Sequence, residues 1–462
     1  MESKDSNTSN EANKMCTEIK PMSFDEVAVI IRSGNNEKLK EVFEAGRVND
    51  INALSDTYTP SLLVLACKAG FIDCARVLLD NNADINYTYQ THSVLKSACL
   101  SGNVNMLNLL IEHNVTIDDS LIMELFESDE ILRNTAIATI LVTKIRDVNF
   151  RRIDSHDFLH YAACKAGNAI ITRMLLERGA RYVLGRPGLK FWGLLPDAAG
   201  AGHLEVVELL LHWNLATERV SQQRANSALC VAAGCGRIKV VQRLVEYGAD
   251  ALTVALYSAV AGHHVKVAAF LIDKGADFNA VVPNLGCSAW IYACDRGYLD
   301  MMRLLLNRGA DLNAVDVKGE SPLRAATLHP EALMMLLDHG ADPNCIISNG
   351  STALLVVASF QRSQSLTVLL EHGADPNLAH AATGETPLMR AALKLRLDNV
   401  RLLLERGADV TPVNREGKSV LDMLADKKYS RVVKDREKYS EMRELCTQYM
   451  DSNKPGATHI LK

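Results

Sequence analysis

A three-residue phrase, Gly-Ala-Asp, returns six times along this chain, starting at Gly248, Gly275, Gly309, Gly340, Gly373 and Gly407 at intervals of 27 to 34 residues. Each copy follows an apolar run, such as Leu304–Leu306 or Leu402–Leu404. A chain that repeats itself at this period folds as a row of similar small units, each leaning on its neighbours. Weaker copies carry the period backwards: Gly179 after Met174–Leu176, Asn214 after Leu209–Leu211, Asn114 after Leu109–Ile111, Asn82 before Ala83-Asp84, and Gly46 after Val42-Phe43. Helices commonly end on a residue at positive φ, which Gly adopts freely and Asn tolerates next best. The phasing asks for a further copy near Ile145, which does not fit because a β-branched residue resists positive φ. Roughly twelve units result at this period.

A second landmark lies about twelve residues before the first. It comprises Gly70, Gly102, Gly167, Gly202, Gly236 and Gly297, with Gly262 one residue further off. Ser or Thr recurs ahead of these glycines, at Ser61, Ser93, Ser227, Thr253 and Ser288, and in the same place later at Ser321, Thr352, Thr386 and Ser419. Such residues cap a helix by accepting a bond from a free backbone N–H. Pro322 and Pro387 then fall at the first helical position, where no N–H is needed. Each unit therefore reads as a cap, a short helix, a Gly turn, a second short helix, a second Gly turn and an extended loop. The second helix is amphipathic: Ile238, Val241 and Val245 fall on one face. Helices this short are marginal alone and need neighbours to bury their apolar stripe.

These residues resemble the ankyrin repeat. The family's Thr-Pro-Leu-His opening and Gly-Ala-Asp close match Ser321–Ala326 and Thr386–Ala392, and Gly202–Leu211 matches its second helix. The resemblance covers about residues 24 to 428. It implies an all-α fold, a helical repeat solenoid of helix–turn–helix and hairpin-loop units, curved so that hairpins and inner helices form a concave binding wall. The expected organisation is a disordered tail over 1–22, the solenoid over 23–428, a capping helix over 429–450 and a disordered tail over 451–462. Within the solenoid, 119–155 lacks both Gly landmarks and reads as a degenerate unit or a joint. The 27-residue step from Gly248 to Gly275 leaves almost no room for a hairpin loop, so one finger of the wall should be missing there. In the 31-residue step to Gly340, Pro330 falls where the second helix would start.

Composition narrows the function. Lys and Arg number 50 against 55 Asp and Glu, a net charge of −5, so nothing pulls the chain globally toward nucleic acid or anionic membrane. The most apolar stretch, Val254–Ile272, is broken by His263, His264 and Lys266 and makes a poor membrane span. The polar N-terminus shows no secretory signal. Eleven cysteines, none in a Cys-x-x-Cys pair, suit free thiols in a reducing compartment, the cytoplasm with the nucleus as the other setting.

Candidate chemistry is sparse. Cys67, Cys99, Cys164 and Cys294 each stand three residues before an inner-helix Gly, where the repeat family has a small buried Ala, and read as core. Cys230 and Cys235 have no common metal spacing. His203 and His263-His264 stand near the inner-helix Gly, where the family uses His to bond neighbouring loop backbone. Ala232–Gly236 has two glycines but no Lys-Ser/Thr after them, so it reads as a turn and not a phosphate loop. Two basic segments, Arg151-Arg152 and Arg181 to Lys190 beside Tyr182, Phe191 and Trp192, read as solvated charge and core aromatics. No catalytic, cofactor-binding or metal-ligating residue is expected.

The remaining function is protein binding. Carried over by position, the partner-facing residues at hairpin tips are Lys318, Glu320, Asn349, Glu385 and Arg415, together with Asn284, Leu285, Val317, Ser348, Thr383 and Glu416. Those on inner helices are Lys68, Lys165, Asp295, Arg296, Phe360 and Lys394. Phe360 and Arg296 lead because aromatic and Arg anchors dominate interfaces, and Lys318 joins them for its place at a tip. The expected role is a non-enzymatic intracellular adaptor or scaffold, monomeric, binding proteins or peptides. The alternative is the substrate-recognition subunit of a ubiquitin ligase, as some ankyrin proteins are, with Leu445-Cys446 the one hint of an adaptor motif.

Overall fold

The computed structural model describes residues 20–48, 50–52, 60–89, 92–151, 156–181, 193–213, 222–346, 349–361, 364–425 and 436–452. The chain divides into two compact blocks, 1–219 and 220–462. Both are built from pairs of short antiparallel helices. In the first block the pairs are Phe24–Arg32 with Asn36–Glu44, Leu62–Ala69 with Ile72–Asp80, and Val94–Leu100 with Val104–Glu112. The fourth unit comprises Asp119–Phe126, Asp129–Arg133 and Thr135–Lys144. The fifth begins at Phe158–His160, continues as a π-helical turn over Tyr161–Lys165, and returns along Ala169–Glu177. Leu194–Ala201 and Leu204–Trp213 complete the block.

The second block repeats the plan: Gln222–Gly234 with Ile238–Tyr247, Leu252–Ala261 with Val265–Asp273, and Ala289–Arg296 with Leu299–Asn307. Pro322–Ala325 runs into a 3-10 turn, Ala326–Leu328, and is followed at once by Pro330–Asp338, with Pro330 at the first helical position. Ala353–Val357 with Gln364–Glu371 and Pro387–Leu393 with Leu397–Glu405 follow. The block closes with Val420–Ala425 and Arg436–Ser452, the latter packed on Leu397–Glu405 and Val420–Ala425 with Met442 and Cys446 buried. Among the described residues the only paired strands are two residues each, Thr88–Tyr89 and His92–Ser93.

The core follows the repeat logic. Within each block inner helix packs on inner helix and outer on outer, so the apolar faces form a row instead of one centre. In the first block one buried cluster runs from Val27 to Leu110 and a second from Leu95 to Leu175, where Phe126 meets Phe158 edge-on at 5.4 Å. Residues 119–145 join that second cluster through Ile122, Phe126, Ile137 and Leu141. The Asp119 carboxylate accepts from the backbone of Arg146 and Asp147, both at 2.8 Å, a tie that stands in for a Gly turn.

The caps match the sequence at seven places. Ser61, Ser93, Ser288, Ser321, Thr352, Thr386 and Ser419 each accept the backbone N–H three residues on, at about 1 kcal/mol each. Ser227 and Thr253 do not cap, which corrects the expectation. With Leu252 opening a helix four residues after Gly248, the chain enters the helix early and Thr253 lies inside it; its hydroxyl accepts from Asp277 instead. Ser227 lies well inside Gln222–Gly234 and its hydroxyl donates back to the Gln223 carbonyl. The expected missing hairpin is therefore real. Asn82 and Asn114 sit at φ 66 and 59, as their turns require, and Ile145 at φ −59 does not. Near Gly262 the left-handed position passes to His263, φ 59. Residues 1–19 and 453–462, and Asn214, Tyr182, Phe191, Trp192 and Ser348, lie outside the described residues.

Candidate partner-binding face

Within each block, two sets of bonds tie neighbouring repeats together on the side where hairpins and inner helices lie. In the first, a side chain just after the inner-helix turn reaches the carbonyl that ends the previous inner helix. His203 meets the Cys164 oxygen at 3.1 Å, His264 the Gly234 oxygen at 3.1 Å, and His329 the Asp295 oxygen at 2.9 Å. Arg396 makes the same bond, Nε donating to the Ser359 oxygen at 3.0 Å. The family reading anticipated this for His203 and His264. It missed His329, because the shortened turn before Pro330 shifts it out of register.

The second set aligns the hairpin loops. A loop Asn accepts from the backbone N–H one repeat later: Asn52 from Asp84, Asn86 from Thr116, Asn149 from Arg181, Asn344 from Asp375 and Asn377 from Asp409, all at 2.7–2.8 Å. Backbone bonds also join neighbouring tips: Val317 N to Gly286 O at 3.0 Å, Ala381 N to Gly350 O at 2.8 Å, and Arg415 N to Thr383 O at 3.0 Å. A face already fixed in this way loses little conformational entropy when it binds.

The expected contact residues fall into two groups. Several are spent on neighbours. Lys165 donates to the Glu127 carbonyl, pairs with Asp129 at 3.4 Å and lies over the Tyr161 ring at 5.6 Å. Glu320 pairs with Arg324 at 3.7 Å, and Glu385 with Arg390 at 3.0 Å. Asp295 meets Arg296 at 3.7 Å, and Arg415 donates to the Ala381 carbonyl at 2.6 Å. Asn349 accepts from Ser351 N at 3.0 Å, and the backbone N–H of Lys318 donates to the Asp316 carboxylate at 2.7 Å, which fixes its tip. The others face outward. Arg296 stacks over Tyr292 at 5.1 Å, Tyr292 lies 5.1 Å from Tyr257, and Lys68 and Lys394 are exposed. Phe360 is half-buried. Between the tips stand exposed apolar residues the sequence reading passed over in part: Leu285, Val315, Val317 (67% exposed) and Ile346. Lys68 also borders a concavity with Val64, Leu65, Lys96 and Leu100.

The four inner-helix thiols sit in settings that keep them protonated. Burial pushes Cys67 and Cys99 up to about 12, and Cys164 and Cys294 are raised as well. A thiol held protonated is a poor nucleophile and a poor metal ligand. Among the described residues no group of three His, Cys, Asp or Glu is placed to hold a metal ion, and no helix is long and apolar enough to cross a membrane.

One titratable group bears on the stability of the first block. His160 stacks on His156 at 3.7 Å, and burial, with the charges of His156 and Lys165 behind it, lowers its pKa to about 4. Its folded pKa lies below the value of about 6.5 in an unfolded chain. The unfolded chain therefore takes the proton first, and stability present above pH 6.5 is lost as pH falls toward 4. After discounting for partial exposure the loss is about 2 kcal/mol. Hydrogen exchange over residues 157–177 should accelerate between pH 7 and pH 5 beyond its intrinsic pH dependence, and His160→Gln should remove that excess.

Comparison with known proteins decides the family. The family described as "Ankyrin repeats (3 copies)" matches residues 27–120, 195–282, 280–347 and 329–414. The chain belongs to the ankyrin-repeat family. Among ankyrin-repeat relatives, "Ankyrin repeat and KH domain-containing protein mask-1" of Caenorhabditis elegans is 31% identical over 180 residues, 38% of this chain and 7% of that protein. "E3 ubiquitin-protein ligase XBAT32" of Arabidopsis thaliana is 33% identical over 176 residues, 36% of this chain and 32% of that protein. Human "Ankyrin repeat and SOCS box protein 6" is 29% identical over 228 residues, 47% of this chain and 48% of that protein. The chain thus spans less than half the length of each of these relatives.

Proposed function

We propose that this chain is a non-enzymatic adaptor or scaffold in the cytoplasm. It binds partner proteins or peptides through the concave face that hairpin tips and inner helices form. The observation that supports this most is the row of cross-repeat bonds from loop Asn and turn His. It holds outward-facing groups such as Arg296, Lys318 and Phe360 on a fixed framework. Proximity labelling with the intact protein and with Arg296→Ala/Lys318→Glu tests the reading. The double variant should keep the fold and lose part of the labelled set. Identical partner lists would count against this face.

The second reading, a substrate-recognition subunit of a ubiquitin ligase, is favoured by the names of two relatives. Leu445-Cys446 lends it no support, since Cys446 is buried in the closing helix, its thiol pushed up to about 11. Co-purification of cullin adaptor subunits with the tagged chain would establish that reading, and their absence from a stoichiometric pull-down would remove it.

A further inference from the structure

The second block contains one inner-helix turn that breaks its own repeat pattern in two adjacent residues. Where the turns at Gly202, Gly236 and Gly297 place Gly at positive φ, the unit of Pro387–Leu393 and Leu397–Glu405 places Leu395 at φ 55, as the turn near Gly262 places His263 at φ 59. A non-Gly residue held there costs about 1–2 kcal/mol. The next residue, Arg396, occupies the place of His203. Its Nε makes the structural bond to the Ser359 carbonyl that a His makes in three other units. A neutral imidazole suffices for that bond, so the guanidinium brings a permanent charge the fold does not need.

That charge is uncompensated. Several other cations on these faces meet acids: Lys96 with Glu124 at 3.1 Å, Lys165 with Asp129, Arg296 with Asp295, Arg324 with Glu320 and Arg390 with Glu385. Among the described residues neither Lys394 nor Arg396 forms an ion pair. Lys394 is exposed, two residues before Arg396. Beside them lies Phe360, half-buried, its carbonyl accepting from Asn399 at 2.9 Å and so fixed against the same turn. Two cations without an ion-pair partner and a half-buried aromatic residue are thus gathered at one strained and well-held turn.

We propose that Phe360, Lys394 and Arg396 are the contact point for an acidic peptide segment of another protein, its carboxylates meeting the two cations and an apolar side chain covering Phe360. This rests on reading the face as partner-binding and names the chemistry of the partner. Charge complementarity selects the occupant, because an arginine fork and a lysine point charge both recognise carboxylate.

The test uses random twelve-residue peptides displayed on phage and selected on the full-length protein. Selected peptides should be enriched in Asp and Glu around Leu, Ile, Met or Phe, and their binding should weaken with salt. Lys394→Glu should lower affinity by about tenfold or more. Arg396→His keeps the carbonyl bond that His203 makes, so melting should stay unchanged while affinity falls. Peptides without acidic enrichment, or acidic peptides indifferent to both variants, would overturn the proposal. If binding responds instead to Arg296→Ala/Lys318→Glu, the face still binds partners and this assignment alone fails. If no peptide is selected, both fail. Displacement by an equal concentration of oligo-dT would make the patch a general polyanion site and also overturn it.

Discussion

Gly297→Ala should destabilise the second block by about 3–4 kcal/mol, whereas Gly309→Ala in the same repeat should cost only about 1–2. Both glycines sit at positive φ, 64 and 85, so both substitutions incur the left-handed penalty. Their surroundings differ. A Cβ on Gly309 meets nothing within 4 Å, while a Cβ on Gly297 would lie 2.6 Å from His329 Cγ. The imidazole cannot withdraw freely, because its Nε2 is bonded to the Asp295 carbonyl at 2.9 Å. Moving it leaves that carbonyl short of a partner, a further loss of about 1 kcal/mol. Urea titration of each variant gives the comparison. The double variant Gly297→Ala/His329→Ala separates the causes: removing the ring should relieve the overlap and leave the φ penalty. Equal losses at Gly297 and Gly309 would show that the histidine contact is not what makes this turn sensitive.

That contrast marks how far the fold was legible in the sequence. The period could be read because a helix end at positive φ strongly prefers Gly, then Asn, and both recur on schedule. Caps could be read wherever an extended loop precedes the helix, since an extended approach lets Ser61 or Thr386 turn its hydroxyl back onto the helix. Thr253 has the same spacing without that approach, and spacing alone cannot show it. Lost register hid His329, displaced by the shortened turn before Pro330, and Leu395 was hidden because the expected landmark was a glycine. The π-helical turn at Tyr161–Lys165 left no trace either, since one extra residue within a helix does not change its composition. The candidate face was legible in outline, from hairpin positions. Which of its charges are spent on neighbours, as with Lys165 and Glu385, depends on contacts between repeats that no single repeat encodes.

Asn399→Leu should be nearly as damaging as Gly297→Ala, and it should act at a distance from its own helix. Asn399 is 1% exposed, and its amide donates to the carbonyls of Ala358 at 3.0 Å and Phe360 at 2.9 Å, with Val357 at 3.5 Å. The Val357 carbonyl already accepts from the Phe360 N–H at 3.0 Å, whereas the Ala358 and Phe360 carbonyls lie just past the short helix Ala353–Val357, out of reach of its own N–H groups. Leucine matches the volume and supplies no donor, so at least two carbonyls in a largely buried setting go unpaired, at a cost of about 3 kcal/mol. Asn399→Asp is the sharper probe. At neutral pH it would place an anion against those oxygens, so the loss should exceed that of the Leu variant. Burial and carbonyl repulsion would raise the folded pKa of the new carboxyl above its unfolded value of about 3.9. Its protonated form can donate one bond, so the Asp variant should regain stability relative to wild type as pH falls from 7 toward 4, while the Leu variant should not. Hydrogen exchange over residues 353–361 would locate the damage, and the same loosening should release Phe360 from the turn that carries Lys394 and Arg396. An Asp variant with a flat pH difference would mean that the carbonyls are satisfied without Asn399.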